Sequence, residues 1–398
     1  MRFKLFTATS VSIMACSVAY AGGWSTGNLG QSFMSEKDGF GEISIGQVDY
    51  KITASTANSY TTGVQATNID VIKDANRVGL SLKNDYGEKF SVGLTNFQYG
   101  SIQMQGGAGA ARKSWIPDAD ATLNTTALLG SYNVSDGLDV LLGARMDRLE
   151  ATSVSTVHGD YKIDSASKTR AVMGVSYQIP EIALKVSATY TPKAEISTGS
   201  SFTETTYPGA VPPTTISYGD ALVAAAAGVA AADNLQNSVP SYTTTVGLPE
   251  TLNIEFQTGI AEDTLLFGSI VDTKWKKAQI DSNGSATSRI TTAFSDTLSY
   301  SLGIGRRLND NWSITGSYKQ EDGGGAYASS LFTVSNGTKG VTLAARYTNE
   351  NMTVTAGVNM VEVGGVTITS DGTSAGTTYA KYGTNSAVGV GLRVSFDF

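Results

Sequence analysis

The stretch AVGVGLRVSFDF, from Ala387 to Phe398, places an apolar residue at every second position: Val388, Val390, Leu392, Val394, Phe396 and Phe398. Small or polar residues stand between them, namely Ala387, Gly389, Gly391, Arg393, Ser395 and Asp397. Strict alternation is the mark of a β-strand with one apolar and one polar face. The apolar face needs a cover, and identifying that cover decides the fold.

The chain opens with MRFKLFTATSVSIMACSVAYAGG: Arg2 and Lys4, a mostly apolar run from Leu5 to Val18, then Ala19-Tyr20-Ala21. This reads as a signal peptide over residues 1–21 with an A-x-A cleavage site, so the mature chain is expected to start at Gly22. Ile13-Met14-Ala15-Cys16 loosely resembles a lipoprotein cleavage site, although the A-x-A is the cleaner pattern. Cleavage after Ala21 removes Cys16, the only cysteine, so no disulfide, thiol nucleophile or cysteine metal site is expected. It also removes two basic residues and takes the formal charge from −7 to about −9. Nucleic acid is excluded as a partner, because its recognition needs a basic face to replace phosphate counterions. No run of about 20 apolar residues follows the leader, so no transmembrane helix is expected. Two classes remain, a soluble β-protein and an outer-membrane barrel, whose signal per strand is weak.

The connections separate these classes. About fourteen strands start near Gly41, Arg77, Glu88, Thr122, Leu138, Thr169, Glu181, Thr243, Thr264, Thr297, Asn311, Lys339, Asn351 and Asn385. Alternate joins are short and rich in Asn, Asp, Gly or Pro, as at Asn84-Asp85-Tyr86-Gly87 and Ala261-Glu262-Asp263. The others are long and polar, such as Thr198 to Ser241. A soluble sandwich has no reason to sort its loops so; an outer-membrane barrel has turns on one side and long loops on the other. The expected fold is an all-β transmembrane antiparallel barrel over residues 40–398, preceded by a short segment at 22–39. Lipid then covers the apolar face, and ring closure removes the strand edges. Val140, Leu142, Ala144 and Met146 of the fifth strand fit the lipid side, and so would Leu265, Phe267, Val271 and Trp275 of the ninth.

With strands and loops placed, the whole mature chain resembles the FadL-type family of outer-membrane transporters for long-chain fatty acids and hydrophobic compounds. The pieces that carry the likeness are GLPETLNIEFQTGIAEDTLLFGSIVDTKWKK, LSYSLGIGRRLNDNWSITGSYK, GVTLAARYTNENMTVTAGVNMVEVGG and AVGVGLRVSFDF, in that order. The resemblance implies a monomeric channel in the outer membrane of a Gram-negative bacterium, with no enzyme chemistry and no cofactor. Its expected partners are a long-chain fatty acid or hydrophobic small molecule, outer-membrane lipid and lipopolysaccharide, and the barrel assembly machinery, which Phe398 suits as a terminal aromatic. Loop capture, passage through the lumen and lateral exit at the third strand are implied as well. The chain departs from the family at the N-terminal hatch: TGNLGQSF looks like its start, but the Asn-Pro-Ala segment that normally follows is absent.

In the third strand Phe90, Val92 and Leu94 share a face, and Phe97 falls out of phase. A break at Thr95-Asn96-Phe97 followed by Gly100 would interrupt pairing as a bulge does, which makes Asn96, Phe97 and Gly100 the candidate lateral opening, with an ordinary strand end as the alternative. Gly219 to Ala232 reads as an Ala-rich helix in the longest external loop. Its Leu222, Val223, Ala226 and Val229 would present an apolar patch to an arriving ligand, or pack on neighbouring loops. Alternation turns Arg145, Lys185, Arg346 and Arg393 inward, where each could hold a carboxylate or pair with an acid such as Asp147, Glu255, Asp272 or Asp397. No metal site is expected, and Asp118 and Asp120 read as a solvated loop. Gly23-Trp24-Ser25-Thr26-Gly27 matches G-x-S-x-G without the preceding strand that a nucleophile elbow needs. The sole histidine, His158, lies beside Asp160 in a polar loop. The competing functions are a general porin for small hydrophilic solutes and a hydrolase on a barrel.

Overall fold

The computed structural model describes residues 24–26, 32–36, 39–57, 67–107, 114–156, 159–204, 238–283 and 289–398. Among them, fourteen antiparallel strands close into one barrel. The first seven are β1 (Phe40–Lys51), β2 (Ala75–Tyr86), β3 (Phe90–Gln105), β4 (Asp118–Ser135), β5 (Leu138–Leu149), β6 (Ala166–Ile179) and β7 (Leu184–Thr191). The others are β8 (Glu250–Ala261), β9 (Thr264–Lys274), β10 (Thr297–Arg307), β11 (Trp312–Asp322), β12 (Gly337–Asn349), β13 (Met352–Val363) and β14 (Asn385–Asp397). Each pairs with its sequence neighbour, and β1 pairs with β14 from Phe40↔Asp397 to Lys51↔Ser386 without a register shift. Backbone bonds between Gly39 and Phe398 finish this seam.

All tight turns lie at one end, and several need left-handed backbone. Asp263 and Glu350 have φ of 57° and 47°. Gly137, at φ 78°, also lies where a Cβ would strike the Gln178 carbonyl, so no other residue fits that turn. The long connections leave from the other end and build hairpins of their own, among them Thr152–Ser155, Gly159–Ile163, Ala194–Glu204 and Ser238–Leu248.

The outer surface is apolar around the ring. In β14, Val388 is 43% exposed and its inward neighbour Ala387 only 1%. Tyr86, Phe90, Tyr132, Tyr177, Trp312 and Phe396 ring the turn end, while Tyr300 and Tyr318 stand nearer the loop end. An apolar belt between aromatic rows is what a bilayer core and its two interfaces select.

Two expectations need correction. The eighth strand starts at Glu250, not Thr243: Thr243 belongs to the loop arm Ser238–Leu248, paired with Ala194–Glu204, and Pro249, which has no N–H to donate, separates arm from strand. The face carrying Leu265 and Phe267 in the ninth strand points inward. Its opposite, with Ile270 at 47% exposure, meets the lipid side. The run Leu265-Leu266-Phe267 is apolar on both faces, so alternation gives no phase there.

Candidate functional site

The third strand is where the wall departs from regularity. β2 and β3 pair from Tyr86↔Phe90 up to Gly79↔Phe97, and there the pairing ends. On its other side β3 stays paired with β4 through Gln105, with one register shift between Gln98 and Gly100 that makes Tyr99 an extra, bulged residue. Among the described barrel pairings, this is the single shift that does not adjoin a turn. Farther up, the Lys73 amide bonds the Gln103 carbonyl at 3.2 Å and the chains rejoin. The result is a slot bounded by Asp74–Val78 on one lip and Gln98–Ile102 on the other, roughly 17 Å along the strand at the usual rise per residue.

The residues expected to break pairing are therefore placed differently from the expectation. Thr95, Asn96 and Phe97 lie in unbroken ladder with β4. Phe97 is out of phase because it points into the lumen, 7% exposed. Asn96 faces outward on the slot's lower rim and donates to the Thr126 hydroxyl at 2.8 Å. Gly100 sits just past the bulge, opposite Leu123. The bulge also changes the phase of β3, so that Ile102 and Met104 face inward, 2% and 0% exposed.

Part of the chain ahead of the barrel runs along the inside of the slot. Ser25 and Thr26 pair with Ser101 and Gly100, taking the β3 edge that β2 has left. Trp24 is buried in the same cluster as Phe97 and Tyr99. Nearer the turn end, the short turn Ser32–Ser35 buries Phe33 and Met34 against Phe40, Ala127, Leu129 and Val172. Gly93 makes this seat possible, since a Cβ there would overlap the Met34 sulfur and the Phe33 ring.

Behind Tyr99 lies a buried ionic cluster. Arg145 and Arg170 are direct register partners on β5 and β6, an arrangement that like charges would normally destabilise. Asp147 resolves it. One carboxylate oxygen accepts from Arg145 Nε at 3.0 Å and from a terminal nitrogen at 2.5 Å, and the other accepts from Arg170 Nε at 2.6 Å. Thr125 adds its hydroxyl to both Asp147 and Arg145. Arg170 also donates to the carbonyls of Pro192 and Pro249, where β7 ends and β8 begins. All three charged groups are nearly or fully inaccessible. Two cations and one anion leave an excess positive charge, and the Tyr99 ring lies over it, 4.4 Å from Arg145 Cζ and 5.9 Å from Arg170 Cζ.

Of the four cations singled out in the sequence, Arg145 thus has its donors on Asp147 and Thr125. Arg393 pairs with Glu42 at 3.3 Å. Lys185 interacts with Glu36, Glu255 and Asp139, and Arg346 with Glu36 and Asp397. Arg170 and Tyr99 are members of the site that sequence reasoning missed. Inward parity gave Arg145 and Asp147 on one strand, but the partners across strands follow from register.

The loop end carries a large apolar core. Trp24, Ile52, Ile72, Ile116, Leu331, Val366 and Tyr382 belong to one buried cluster that continues into the barrel at Phe97 and Leu123. Trp115 packs on Tyr379 at 5.5 Å between ring centroids, and Tyr161 on Phe202 at 4.5 Å. Burial pushes the phenols of Tyr161 and Tyr382 well above their ordinary range, as a dry interior should. The helix with Leu222, Val223, Ala226 and Val229 lies outside the described residues, as does His158. Asp118 accepts from the Gly107 amide at 2.8 Å and Asp120 pairs with Lys73 at 3.5 Å. Among the described residues no group of three or more His, Cys, Asp or Glu side chains could hold a metal ion.

No family model matches the sequence, and no curated protein matches it. Solved structures do. A Pseudomonas aeruginosa FadL homologue superposes with a TM-score of 0.69 at 12% identity over 92% of each chain. The Pseudomonas putida toluene transporter TodX gives 0.59 at 10% identity, covering 96% of this chain and 98% of its own. The Ralstonia pickettii toluene transporter TbuX gives 0.57 at 12%, covering 92% and 91%. The barrel has the fold of the FadL-type channels, and at these identities fold is what the likeness shows.

Proposed function

We propose that the protein is an outer-membrane channel for passive uptake of hydrophobic compounds, which leave sideways through the slot between β2 and β3. The slot is the observation that carries this reading: a gap in a lipid-facing wall lets an apolar molecule pass from the lumen into the bilayer without crossing water. The fold shared with a FadL homologue and two toluene transporters supports it. So does the apolar cluster running from the loop core to Phe97 beside the slot. A porin for hydrophilic solutes needs an open, wetted bore, whereas here Phe33 and Met34 pack across the turn end.

Within that class, neutral compounds fit better than fatty acids. Arg145 and Arg393 are already bonded to carboxylates, and Lys185 and Arg346 lie in the fields of Glu36 and other acids. A ligand carboxylate would have to displace an internal one. Reconstituted in liposomes, the protein is expected to admit labelled toluene faster than labelled oleate and to exclude sugars. Free sugar permeation without uptake of either hydrophobic probe would refute the proposal in favour of a porin. Oleate uptake exceeding that of toluene would restore the fatty-acid reading.

A further inference from the structure

We infer that Tyr99, seated on the Arg145–Asp147–Arg170 cluster, is the positioning residue that holds β3 away from β2 and so keeps the slot open. The inference rests on the slot being the exit, and adds what maintains it.

Continuing the register of Gly79↔Phe97 would pair Val78 with Gln98 and Arg77 with Tyr99. Nothing in the residue types forbids this. Val78 and Gln98 are acceptable strand residues, and β2 continues to Ala75 in regular pairing with β1. Ser25 and Thr26 take the β3 edge only at Ser101 and Gly100; below them, at Val78 and Gln98, the β2–β3 ladder should continue, because unpaired backbone groups in lipid cost several kcal/mol each. Something must therefore pull the strands apart, and the geometry shows a pull in the right direction. Arg145 is on β5, two strands from β3 and on the side away from β2, so its backbone is about 10 Å away at ordinary strand spacing. Tyr99 and Arg145 close that span over the inner face of β4, where Ala127 stands opposite Arg145 and leaves room.

The bulge supplies the slack for this reach. An extra residue bends and twists its strand locally, which lets Tyr99 turn in while β3 keeps its bonds to β4. The cluster supplies the attraction: two guanidinium groups share one carboxylate in a dry site, and the aromatic face partners the uncompensated charge. If the ring were lost, the cluster would no longer hold β3, and the strand below the Ser25–Thr26 pairing would be free to straighten onto β2 at Gln98.

Cysteine crosslinking tests this in the full chain. In a Cys16→Ser background, Val78→Cys with Gln98→Cys marks the positions that would meet if the slot zipped, since a disulfide needs Cα atoms about 4.4–6.8 Å apart. Ile45→Cys with Leu392→Cys, paired across the seam, serves as the positive control. The slot pair is expected to stay unlinked under oxidant in the parent, to link when Tyr99→Leu is added, and to stay unlinked with Tyr99→Phe, which keeps a π face. Toluene uptake should fall at least about tenfold with Tyr99→Leu and stay within about twofold with Tyr99→Phe. An unlinked slot pair in Tyr99→Leu overturns the inference, whether or not uptake falls. Linkage in the parent overturns the exit itself, and so identifies a failure of the proposed function rather than of the clamp. If Tyr99→Leu loses the heat-modifiable band of a folded barrel, Arg145→Gln, Asp147→Asn and Arg170→Gln combined remove all three charges of the cluster together, and this triple variant carries the same expectation.

Discussion

The seam where β1 meets β14 and the slot between β2 and β3 lie two strands apart in the same wall, yet they behave as opposites. The seam joins the first and last strands of the barrel, the place where a ring would be expected to gape. It is instead zipped over the full length of β1, from Phe40 to Lys51, with Val388, Val390 and Leu392 turned out and Gly389 and Gly391 turned in. The slot joins strands connected by a short turn, which should be the easiest pair to zip, and it stops at Gly79↔Phe97. The difference follows from what is bonded behind each. The seam has the Arg393–Glu42 ion pair on its inner face, whereas β3 beside the slot has a bulge whose Tyr99 rests on the buried three-charge cluster of β5 and β6. Openings in this wall are built by interior side chains rather than left by weak ends.

The largest expected effect comes from Asp147→Ala, which strands two opposed arginines in a dry site. Chemical unfolding in detergent should show a loss of about 3–5 kcal/mol. The same operation at the seam, Glu42→Ala, should cost only about 1–2 kcal/mol; comparable losses at both places would erase the contrast. A charge probe sharpens it next. Arginine at outward Val390, mid-seam, should destabilise by about 2–4 kcal/mol, while arginine at Gln98 on the slot's lip should cost about 0–1 kcal/mol. A smaller effect is expected from Gly93→Ala, whose methyl would displace Phe33 and Met34. Sugar leakage in a liposome-swelling assay should rise about two- to fivefold with little change in stability. The smallest belongs to Glu150→Gln, which breaks the exposed Arg148–Glu150 pair only three residues from Asp147. A change within about 0.5 kcal/mol would show that position on the strand matters less than burial.

The barrel itself was legible because lipid imposes a rule on every strand. β14 displays it without exception, and the sorting of short and long joins fixed which end is which. The failures have physical causes. Thr243 looked like a barrel start because the loop hairpins continue the barrel's pairing beyond the apolar belt, with the same alternation. The ninth strand's inner face looked like its outer one because this lumen accepts Leu265 and Phe267. Arg145 and Asp147 could be seen on one face from their spacing. Their partners Arg170 and Tyr99 could not, because each comes from another strand and is positioned by a register and a bulge that no local pattern encodes.

The described residues ahead of β1 lie against the barrel wall, Ser25–Thr26 on the edge of β3 and Phe33 and Met34 near the turn end, and β1 itself closes the ring on β14. Such an order constrains biogenesis. A peptide that feeds into the first strand can be laid against the growing curved sheet and enclosed as Gly39 meets Phe398, with no later threading through a finished pore. Folding of this protein would then end with a wrapping step, and the enclosed peptide would act as the mandrel on which the cylinder is wound.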